Sequence, residues 1–394
     1  LQMLKKLIRK SVMPFLAFVL ALIIGGIVIG LTDSRVNSKI SEPIEFIKAL
    51  LSTVGNAYLS LFQGAIYDPN LAEGQGFIRG FYPFSETLLA ASPLILCGLS
   101  VAVAFKAGLF NIGAQGQFIF GAIGASFIGF RYDLPVGIHI LAAVAFAIIL
   151  AGIWGGVVGF LKAKTGAHEV IVTIMLNYIA ARFILWILGE PAFLRPGRID
   201  PLAPPVKETS RLPLLFGENY RVNVGLIVAL LVAALVYFIL NRTTLGFRFR
   251  AVGANATAAR TAGISVGATT IAAMILAGAL AGVGGAVHVL GNQYELTTDI
   301  AGSFGFDAIT VALLGRGSPI GVVLASILFA ALRVGGVTMQ ANVQVPVEIV
   351  LVIQALVVLF IAAPGLVAKI FRVRKYEKAE TDRKSTRLNS SHLV

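Results

Sequence analysis

Charged residues are scarce in this 394-residue sequence. Asp, Glu, Lys and Arg together make up 13% of the chain, whereas 57% of its residues are hydrophobic. Soluble globular domains carry about 25% charged residues, so this composition excludes an ordinary soluble fold. Apolar runs of about 20 residues, the length of a membrane-spanning helix, recur along the chain. The runs are continuous rather than alternating, which excludes a transmembrane β-barrel. The sequence therefore predicts an all-α polytopic membrane protein.

Cysteine and histidine are also rare, and this limits the available chemistry. The single cysteine, Cys97, cannot form an intrachain disulfide, and its apolar surroundings predict a small buried side chain. Only four histidines occur, so the sequence offers few ligands for a metal site. The phosphate-binding pattern GxxxxGK[ST] and the metal-binding pattern HExxH are absent. We therefore predict a protein that is not an enzyme and has no metal or cofactor of its own.

Acidic residues are outnumbered by basic ones, 19 to 32, which gives a formal net charge of +13. Such a charge suggests a nucleic-acid partner. However, the basic residues stand in short clusters between apolar segments, without a basic helix or an aromatic platform. Clusters of this kind are typical of the cytoplasmic loops of membrane proteins. The sequence therefore predicts membrane lipid, and no nucleic acid, as its surroundings.

The apolar segments predict about ten transmembrane helices, and eight or nine are also compatible with the pattern. The first follows the basic segment KKLIRK, which predicts a cytoplasmic N-terminus over residues 1–11. The segment 303–314 is too short for a full crossing and predicts a broken or re-entrant helix. The expected spans are 12–31, 84–105, 108–130, 136–161, 169–188, 222–240, 266–290, 303–314, 320–337 and 347–367.

Loop charge assigns the two sides of the membrane. Alternating from an inside start, the loops without acidic residues fall inside, and most acidic residues fall in the outer loops 32–83 and 189–221. This bias predicts that both termini are cytoplasmic and that the membrane domain covers 12–376. Small residues at helical spacing predict close helix packing within that domain. They are Gly121, Ala125 and Gly129; Gly152 and Gly156; and Gly278, Gly282 and Ala286.

The C-terminal tail, 377–394, is polar. Residues 382–394 contain DRKSTRLNSSH, which resembles the translation of a sequencing adapter. We therefore exclude this segment from functional interpretation.

The inner loop 241–265 is basic, with four arginines and no acidic residue. Asn255 is a suitable N-cap for a helix that starts near Ala256, and Gly263 is a suitable stop. A short helix beneath a membrane bundle can dock another protein. The alternative is a plain solvated loop.

This loop resembles the cytoplasmic coupling loop of ATP-binding cassette (ABC) importer permeases, in the group for simple sugars, branched-chain amino acids and nucleosides. LGFRFRAVGANATAARTAGI at 245–264 follows the nucleoside-type pattern LGxxxRAVGxNxxAAxxAGI. AFKAGLFNIGAQGQ at 104–117 is similar to AFRAGLFNIGAEGQ, with Gln115 where glutamate is common. HEVIVTIMLNYIA at 168–180 is similar to NEVIxTIMLNYIA, with histidine replacing asparagine. The resemblance covers about residues 5–376.

The resemblance implies a permease subunit of a binding-protein-dependent, ATP-driven importer of nucleosides in the bacterial inner membrane. Simple sugars are the alternative substrate class. It also implies a second permease subunit in a heterodimer, ATP-binding cassette subunits that bind ATP and Mg²⁺, and an extracytoplasmic substrate-binding lipoprotein. The residues implied in ATPase coupling are Gly246, Arg250, Gly253, Asn255, Ala258, Ala259 and Gly263.

Polar residues inside apolar segments are the candidates for a substrate pathway, because an unpartnered amide in hydrocarbon costs about 1 to 3 kcal/mol. Asn111 and Gln115 are four residues apart and are expected to share a helix face; the glycines nearby make a break plausible, which would bring Gln117 to the same place. Amides and tyrosine both donate and accept hydrogen bonds, as a nucleoside requires. The predicted pathway residues are Asn111, Gln115, Gln117, Asn177, Tyr178 and Asp307. A further polar cluster, 292–295, ends another span.

Alternatives remain open for each of these residues. The amides can serve as hydrogen bonds between helices, and Asp307 can pair with Arg316 or Arg333. An ion-coupled secondary transporter is a third possible function, but it would require several carboxylates within the membrane. Asp307 is the one candidate well inside a segment.

Overall fold

The computed structural model describes residues 2–74 and 76–371. The adapter-like segment 382–394 lies outside the described residues. The described residues divide into two compact units, one within 65–334 and the other formed by 2–64 together with 335–371. Within the described residues the structure is helical, with two isolated β-bridges and no strand.

Residues 2–74 and 76–371 form sixteen α-helices. They are α1 (Gln2–Thr32), α2 (Ser34–Asn37), α3 (Pro43–Ala65), α4 (Pro69–Ala72), α5 (Tyr82–Lys106), α6 (Ala114–Arg131), α7 (Ile138–Thr165), α8 (Glu169–Ile187), α9 (Val224–Arg242), α10 (Thr244–Ala254), α11 (Ala256–Thr261), α12 (Val266–His288), α13 (Phe304–Leu314), α14 (Pro319–Val343), α15 (Glu348–Ala362) and α16 (Pro364–Ile370). Short 3₁₀ turns lie at Phe77–Phe81 and Glu208–Ser210, and a π-helical turn, Val289–Gln293, extends α12.

Seven helices in the described residues are long and apolar enough to cross a membrane, and the bent pair α15 and α16 makes an eighth candidate. The chain is therefore a multi-pass membrane protein, with seven or eight candidate spans. Two expected spans fall short of this standard. Helix α6 has 18 residues and carries two glutamines, and α13 has only 11 residues.

The segment 32–83, expected to be an outer loop, is largely helical, because α3 alone occupies 23 of its residues. In the unit that contains it, the hydroxyl of Tyr58 on α3 donates to the carbonyl of Leu22 on α1. Gly25 of α1 lies against Ile353 of α15, where an added Cβ would collide with the isoleucine side chain. Helix α1 is thus packed between α3 and α15.

In the larger unit, α5, α6, α7 and α12 pack closely through small residues. A Cβ on Gly121 of α6 would collide with the backbone of Gly282 of α12, which confirms the close packing expected from these glycines. In α7 the closest approach is made by Gly155, which faces the carbonyl of Met274. A Cβ on the expected Gly152 would meet only atoms at 3.7 Å and beyond. The spacing of small residues does not by itself define which face of α7 is turned toward α12.

Candidate functional site

A non-helical stretch, residues 107–113, separates α5 from α6, and we call it the break. Gly108 adopts a φ of 74°, and the N–H of Leu109 donates to the carbonyl of Ala104 at 2.9 Å. This bond around a left-handed glycine is the Schellman motif that stops helices. The span expected at 108–130 is therefore wrong at its start, because α6 begins only at Ala114.

Asn111 and Gln117 form a reciprocal amide pair, and both are fully buried. Nδ2 of Asn111 donates to Oε1 of Gln117 at 2.9 Å, and Nε2 of Gln117 donates to Oδ1 of Asn111 at 3.3 Å. The hydroxyl of Ser100 lies within hydrogen-bonding distance of both amides. The expectation that Asn111 and Gln115 share a helix face is wrong, because Asn111 precedes the helix. Asn111 converges instead with Gln117.

Asn177 of α8 connects the two sides of the break. Its Oδ1 accepts from the N–H of Gly116 at 2.9 Å, and its Nδ2 donates to the carbonyl of Ile112 at 2.9 Å. The first N–H groups of a helix have no partner within that helix, and a carbonyl in the break has none from a regular helix. Asn177 supplies both missing partners, which is the interhelical hydrogen bonding that we considered for it.

Gln115 connects the start of α6 to the start of α13. Its Nε2 donates to the carbonyl of Gly302 at 2.7 Å, and its Oε1 accepts from the N–H of Gly305 at 2.8 Å. An amide can make both bonds at once, whereas an ionised carboxylate can only accept. Glutamine, in place of the glutamate common in the resembling permeases, therefore suits this position.

Asp307 and Tyr178 do not join the amides of the break. Asp307 accepts a hydrogen bond from the hydroxyl of Ser303 at 2.7 Å and lies 3.7 Å from Nη1 of Arg333. Arg333, rather than Arg316, is thus its partner. Tyr178 is 66% exposed on α8.

A polar cavity of about 440 Å³ lies within the larger unit, and we call it the Asn292 cavity. Ligand pockets typically have volumes of about 300 to 1,000 Å³. Gly302, whose carbonyl accepts a hydrogen bond from Gln115, also lines this cavity. The polar and aromatic residues that line it are Glu86, Arg221, His288, Asn292, Gln293, Asp299, Phe304 and Arg333.

The position of Asn292 follows from a proline in α5. Pro93 lies inside that helix and has no N–H, so the carbonyl of Leu89, four residues earlier, lacks its helical partner. Nδ2 of Asn292 lies 3.5 Å from this carbonyl and 3.2 Å from Nδ1 of His288. A carbonyl can only accept, so the amide is oriented with Nδ2 toward Leu89. Its Oδ1 is buried and has no hydrogen-bond partner among the described residues.

The backbone around Asn292 is unusual. Val289–Gln293 forms a π-helical turn, and Tyr294 follows it with a φ of 62°. π-Helical turns are rare and occur frequently at functional sites. A non-glycine residue in the left-handed region is also uncommon. Both features favour a functional role for this end of α12.

Both arginines of the Asn292 cavity lie beside carboxylates. Nη1 of Arg221 lies 3.2 Å from Oε2 of Glu86, while Oε1 of Glu86 is buried and has no hydrogen-bond partner among the described residues. The guanidinium of Arg333 lies over the ring of Phe304, 4.7 Å from its centroid, and near Asp307. Each arginine therefore has a carboxylate beside it, and the atoms left without partners are oxygen acceptors.

The predicted docking loop forms two helices, α10 and α11, with Asn255 between them. Oδ1 of Asn255 accepts from the N–H of Ala258 at 3.0 Å, so the predicted N-cap is confirmed. Gly263 adopts a φ of 81° after α11, which confirms the predicted stop. Arg250 and Ala258 are exposed, whereas Ala259 is buried. The role of this loop in coupling stays a prediction.

Helix α10 rests directly on the turn that begins the break. A Cβ on Gly253 would collide with the carbonyl of Lys106 and crowd the N–H of Gly108. Gly246, at the other end of α10, lies equally close to the backbone of Ile239 and Leu240. Two of the predicted coupling glycines are thus positions where no side chain fits without a shift of the backbone.

Sequence reasoning missed most residues of the Asn292 cavity. His288, Glu86, Arg221 and Arg333 stand far apart in the chain, and none belongs to a recognised pattern. One signal was present: Pro93, inside an apolar segment, leaves a carbonyl that another element must satisfy. Among the described residues, no group of three histidine, cysteine, aspartate or glutamate side chains is placed to hold a metal.

Comparisons with known proteins agree with the resemblance in the motifs. The guanosine ABC transporter permease protein NupP of Bacillus subtilis is 37% identical over 81% of this chain and 92% of its own length. The glucose ABC transporter permease protein TsgB13 of Haloferax volcanii is 35% identical over 81% of this chain and 86% of its own length. The nucleoside ABC transporter permease protein NupB of Lactococcus lactis is 37% identical over 75% of this chain and 83% of its own length.

Another guanosine ABC transporter permease protein, NupQ, and another nucleoside ABC transporter permease protein, NupC, are more distant. NupQ of Bacillus subtilis is 27% identical and NupC of Lactococcus lactis 26% identical, each over 62% of this chain and 78% of its own length. The family described as branched-chain amino acid transport system / permease component matches residues 84–362. The chain therefore belongs to that family of membrane transport permeases, which are transport subunits rather than enzymes.

Proposed function

We propose that this chain is a permease subunit of an ATP-driven importer and conducts nucleosides across the bacterial inner membrane. The observation that carries this proposal is the similarity to guanosine and nucleoside permeases over 92% and 83% of their lengths. The Asn292 cavity supports it, because amide, imidazole and guanidinium groups beside an aromatic ring suit a polar, flat solute. Pathway roles for Asn111, Gln115, Gln117, Asn177, Tyr178 and Asp307 are part of the proposal.

The membrane arrangement follows from loop charge. Helices α6 and α13 contribute membrane-embedded segments in addition to the seven or eight candidate spans, which gives up to ten. The basic loop of α10 and α11 faces the cytoplasm, as do both termini. Gln115, which holds Gly302 at the edge of the Asn292 cavity, closes the pathway on the side of the break.

The partners follow from what a permease of this type needs. ATP-binding cassette subunits dock on α10 and α11 and bind ATP and Mg²⁺ themselves. An extracytoplasmic lipoprotein delivers the solute. A second permease completes the pathway in a heterodimer; this is supported by the two-permease sets in Bacillus subtilis and Lactococcus lactis, in which one member is clearly more similar to this chain.

A sugar importer is the second candidate function. It is favoured by the 35% identity to a glucose permease over 86% of that protein. Hydroxyl groups of a sugar would meet the same acceptors in the Asn292 cavity as the ribose of a nucleoside.

Uptake into proteoliposomes tests the proposal. The chain is reconstituted with its second permease, ATPase subunits and receptor, and labelled guanosine and glucose are offered separately. We expect guanosine uptake that requires ATP and is unchanged when proton and sodium gradients are collapsed. Uptake driven by a gradient without ATP would refute the importer, and ATP-driven uptake of glucose alone would favour the sugar alternative.

A further inference from the structure

The Asn292 cavity contains hydrogen-bond acceptors without partners, and these indicate what kind of ligand it can bind. Oδ1 of Asn292 and Oε1 of Glu86 are both buried and have no hydrogen-bond partner among the described residues. Buried polar atoms in proteins are nearly always hydrogen-bonded, and each exception requires an explanation. Both atoms are acceptors, so the group that completes them must be a donor, such as a hydroxyl or a ring N–H.

Each of these side chains is engaged at its other polar atom. The other end of the Asn292 amide is fixed by the Leu89 carbonyl, which the proline in α5 leaves free. The other oxygen of Glu86 is engaged by Arg221 at 3.2 Å. The unpartnered atoms are therefore held in place by the fold.

The cavity also offers a planar surface. One side of the Arg333 guanidinium lies over Phe304, and 41% of its side chain is exposed. Guanidinium groups stack on flat aromatic systems. A purine or pyrimidine base that entered the cavity could stack on the open side of this group.

A phosphate group has no comparable place here. Arg221 is paired with Glu86, and Arg333 lies beside Asp307, so neither arginine is an uncompensated cation. Asp299 adds a further carboxylate to the lining. A phosphate would bring two negative charges and further acceptors to a site that already has unpartnered acceptors.

We propose that the Asn292 cavity is the solute-binding site of the permease and that it selects a neutral, donor-rich nucleoside over the corresponding nucleotide. This inference rests on the proposed function. The hydroxyls or ring N–H groups of the nucleoside donate to Glu86 and Asn292, and its base stacks on Arg333. Selection against phosphorylated forms follows from the paired arginines.

Glu86→Gln is the direct test, because it preserves shape and still presents an oxygen to Arg221 while replacing the unpartnered acceptor with a donor. Guanosine, guanosine 5′-monophosphate and glucose are titrated into the full chain in lipid nanodiscs with its second permease. We expect wild type to bind guanosine at least about tenfold more tightly than the monophosphate, and Glu86→Gln to weaken guanosine binding about tenfold. Glu295→Gln, a carboxylate outside the cavity lining, is the matched control and should leave binding unchanged.

Arg333→Lys provides a second variant. Lysine keeps the positive charge beside Asp307 but removes the planar surface, so guanosine binding should weaken while glucose binding does not. Guanosine binding unaffected by both Glu86→Gln and Arg333→Lys, or equal binding of guanosine and its monophosphate, would overturn the inference. A third outcome separates the site from its proposed solute. If glucose binds, guanosine does not bind, and Glu86→Gln weakens glucose binding, the cavity does bind a solute rich in hydrogen-bond donors, but that solute is a sugar and the proposed nucleoside function is refuted.

Discussion

Individual amide side chains supply the hydrogen bonds that the backbone lacks in the break between α5 and α6. A buried donor or acceptor without a partner costs about 1 to 3 kcal/mol, and the break would expose several such groups to an apolar interior. Asn111, Gln117 and Asn177 satisfy each other and the backbone instead. The cost that made these residues anomalous in the sequence is thus met by a specific set of hydrogen bonds.

Gln115→Glu tests how much such amide hydrogen bonds contribute to stability at one position. The ionised carboxylate would face the carbonyl of Gly302 without a proton to donate, so we expect the free energy of unfolding to fall by about 1 to 3 kcal/mol at neutral pH. A protonated carboxyl can donate to this carbonyl, so lowering the pH should reduce the loss.

Unfolding of the purified chain in detergent, measured at pH 5 and pH 8, checks this expectation. Gln340→Glu, at an exposed position of α14, is the control and should show neither the loss nor its pH dependence. Equal effects of the two substitutions would contradict the role assigned to the Gln115 amide.

Helices in this molecule are joined at positions where backbones touch. Helix α10 meets the turn after α5 through Gly253 and Gly108, with no side chain between them. In lipid, such close approach replaces the hydrophobic drive between helices. The contact also joins the proposed docking loop to the break, so a movement of α10 would reach the amides that hold α6.

Gly253→Ala should separate these elements. The added Cβ would collide with backbone atoms of Lys106 and Gly108, which cannot rotate away, so we expect a loss of about 1 to 3 kcal/mol in stability. Gly267→Ala in α12 is the matched control, because its Cβ would meet only Ala163 at 3.5 Å and alanine raises helix propensity by about 1 kcal/mol. Thermal unfolding in detergent should show a lower midpoint for the first variant and an equal or higher one for the second. Similar shifts for both would indicate that the glycine contact has no special importance.

At the scale of the whole molecule, the proposed topology places the charged loops on opposite sides of the membrane. The single cysteine, Cys97, is fully buried, so the wild-type chain should be nearly inert to thiol reagents. A cysteine introduced at an exposed loop position therefore reports one site at a time.

Ile199→Cys and Thr257→Cys test the topology. Ile199 is exposed in the loop between α8 and α9, and Thr257 is exposed on α11. In intact cells, a membrane-impermeant maleimide should label the first variant and should label the second only after permeabilisation. Labelling of both from the same side would refute the proposed arrangement of the loops.

Much of the local structure could be predicted from the sequence. The helix cap at Asn255, the stop at Gly263 and the starts of α8 and α12 depend on residues within about one helical turn. The motifs also identified the family before any geometry was available. The prediction failed just after Gly108, where the next helix begins only at Ala114, because apolarity defines burial and does not define where a helix starts.

Apolar composition, loop charge and local capping by themselves determined that this is a helical membrane protein with a basic, helix-forming loop, and the resemblance of its motifs pointed to a permease. These properties depend on neighbours in the chain or on transfer into lipid, so the sequence contains them directly. Only the tertiary structure decided that Gln115 holds Gly302, 187 residues away, and that Glu86, Asn292 and Arg333 surround one cavity. Such pairings depend on how helices cross and which carbonyls a proline leaves free, and these are properties of packed backbones rather than of any stretch of sequence.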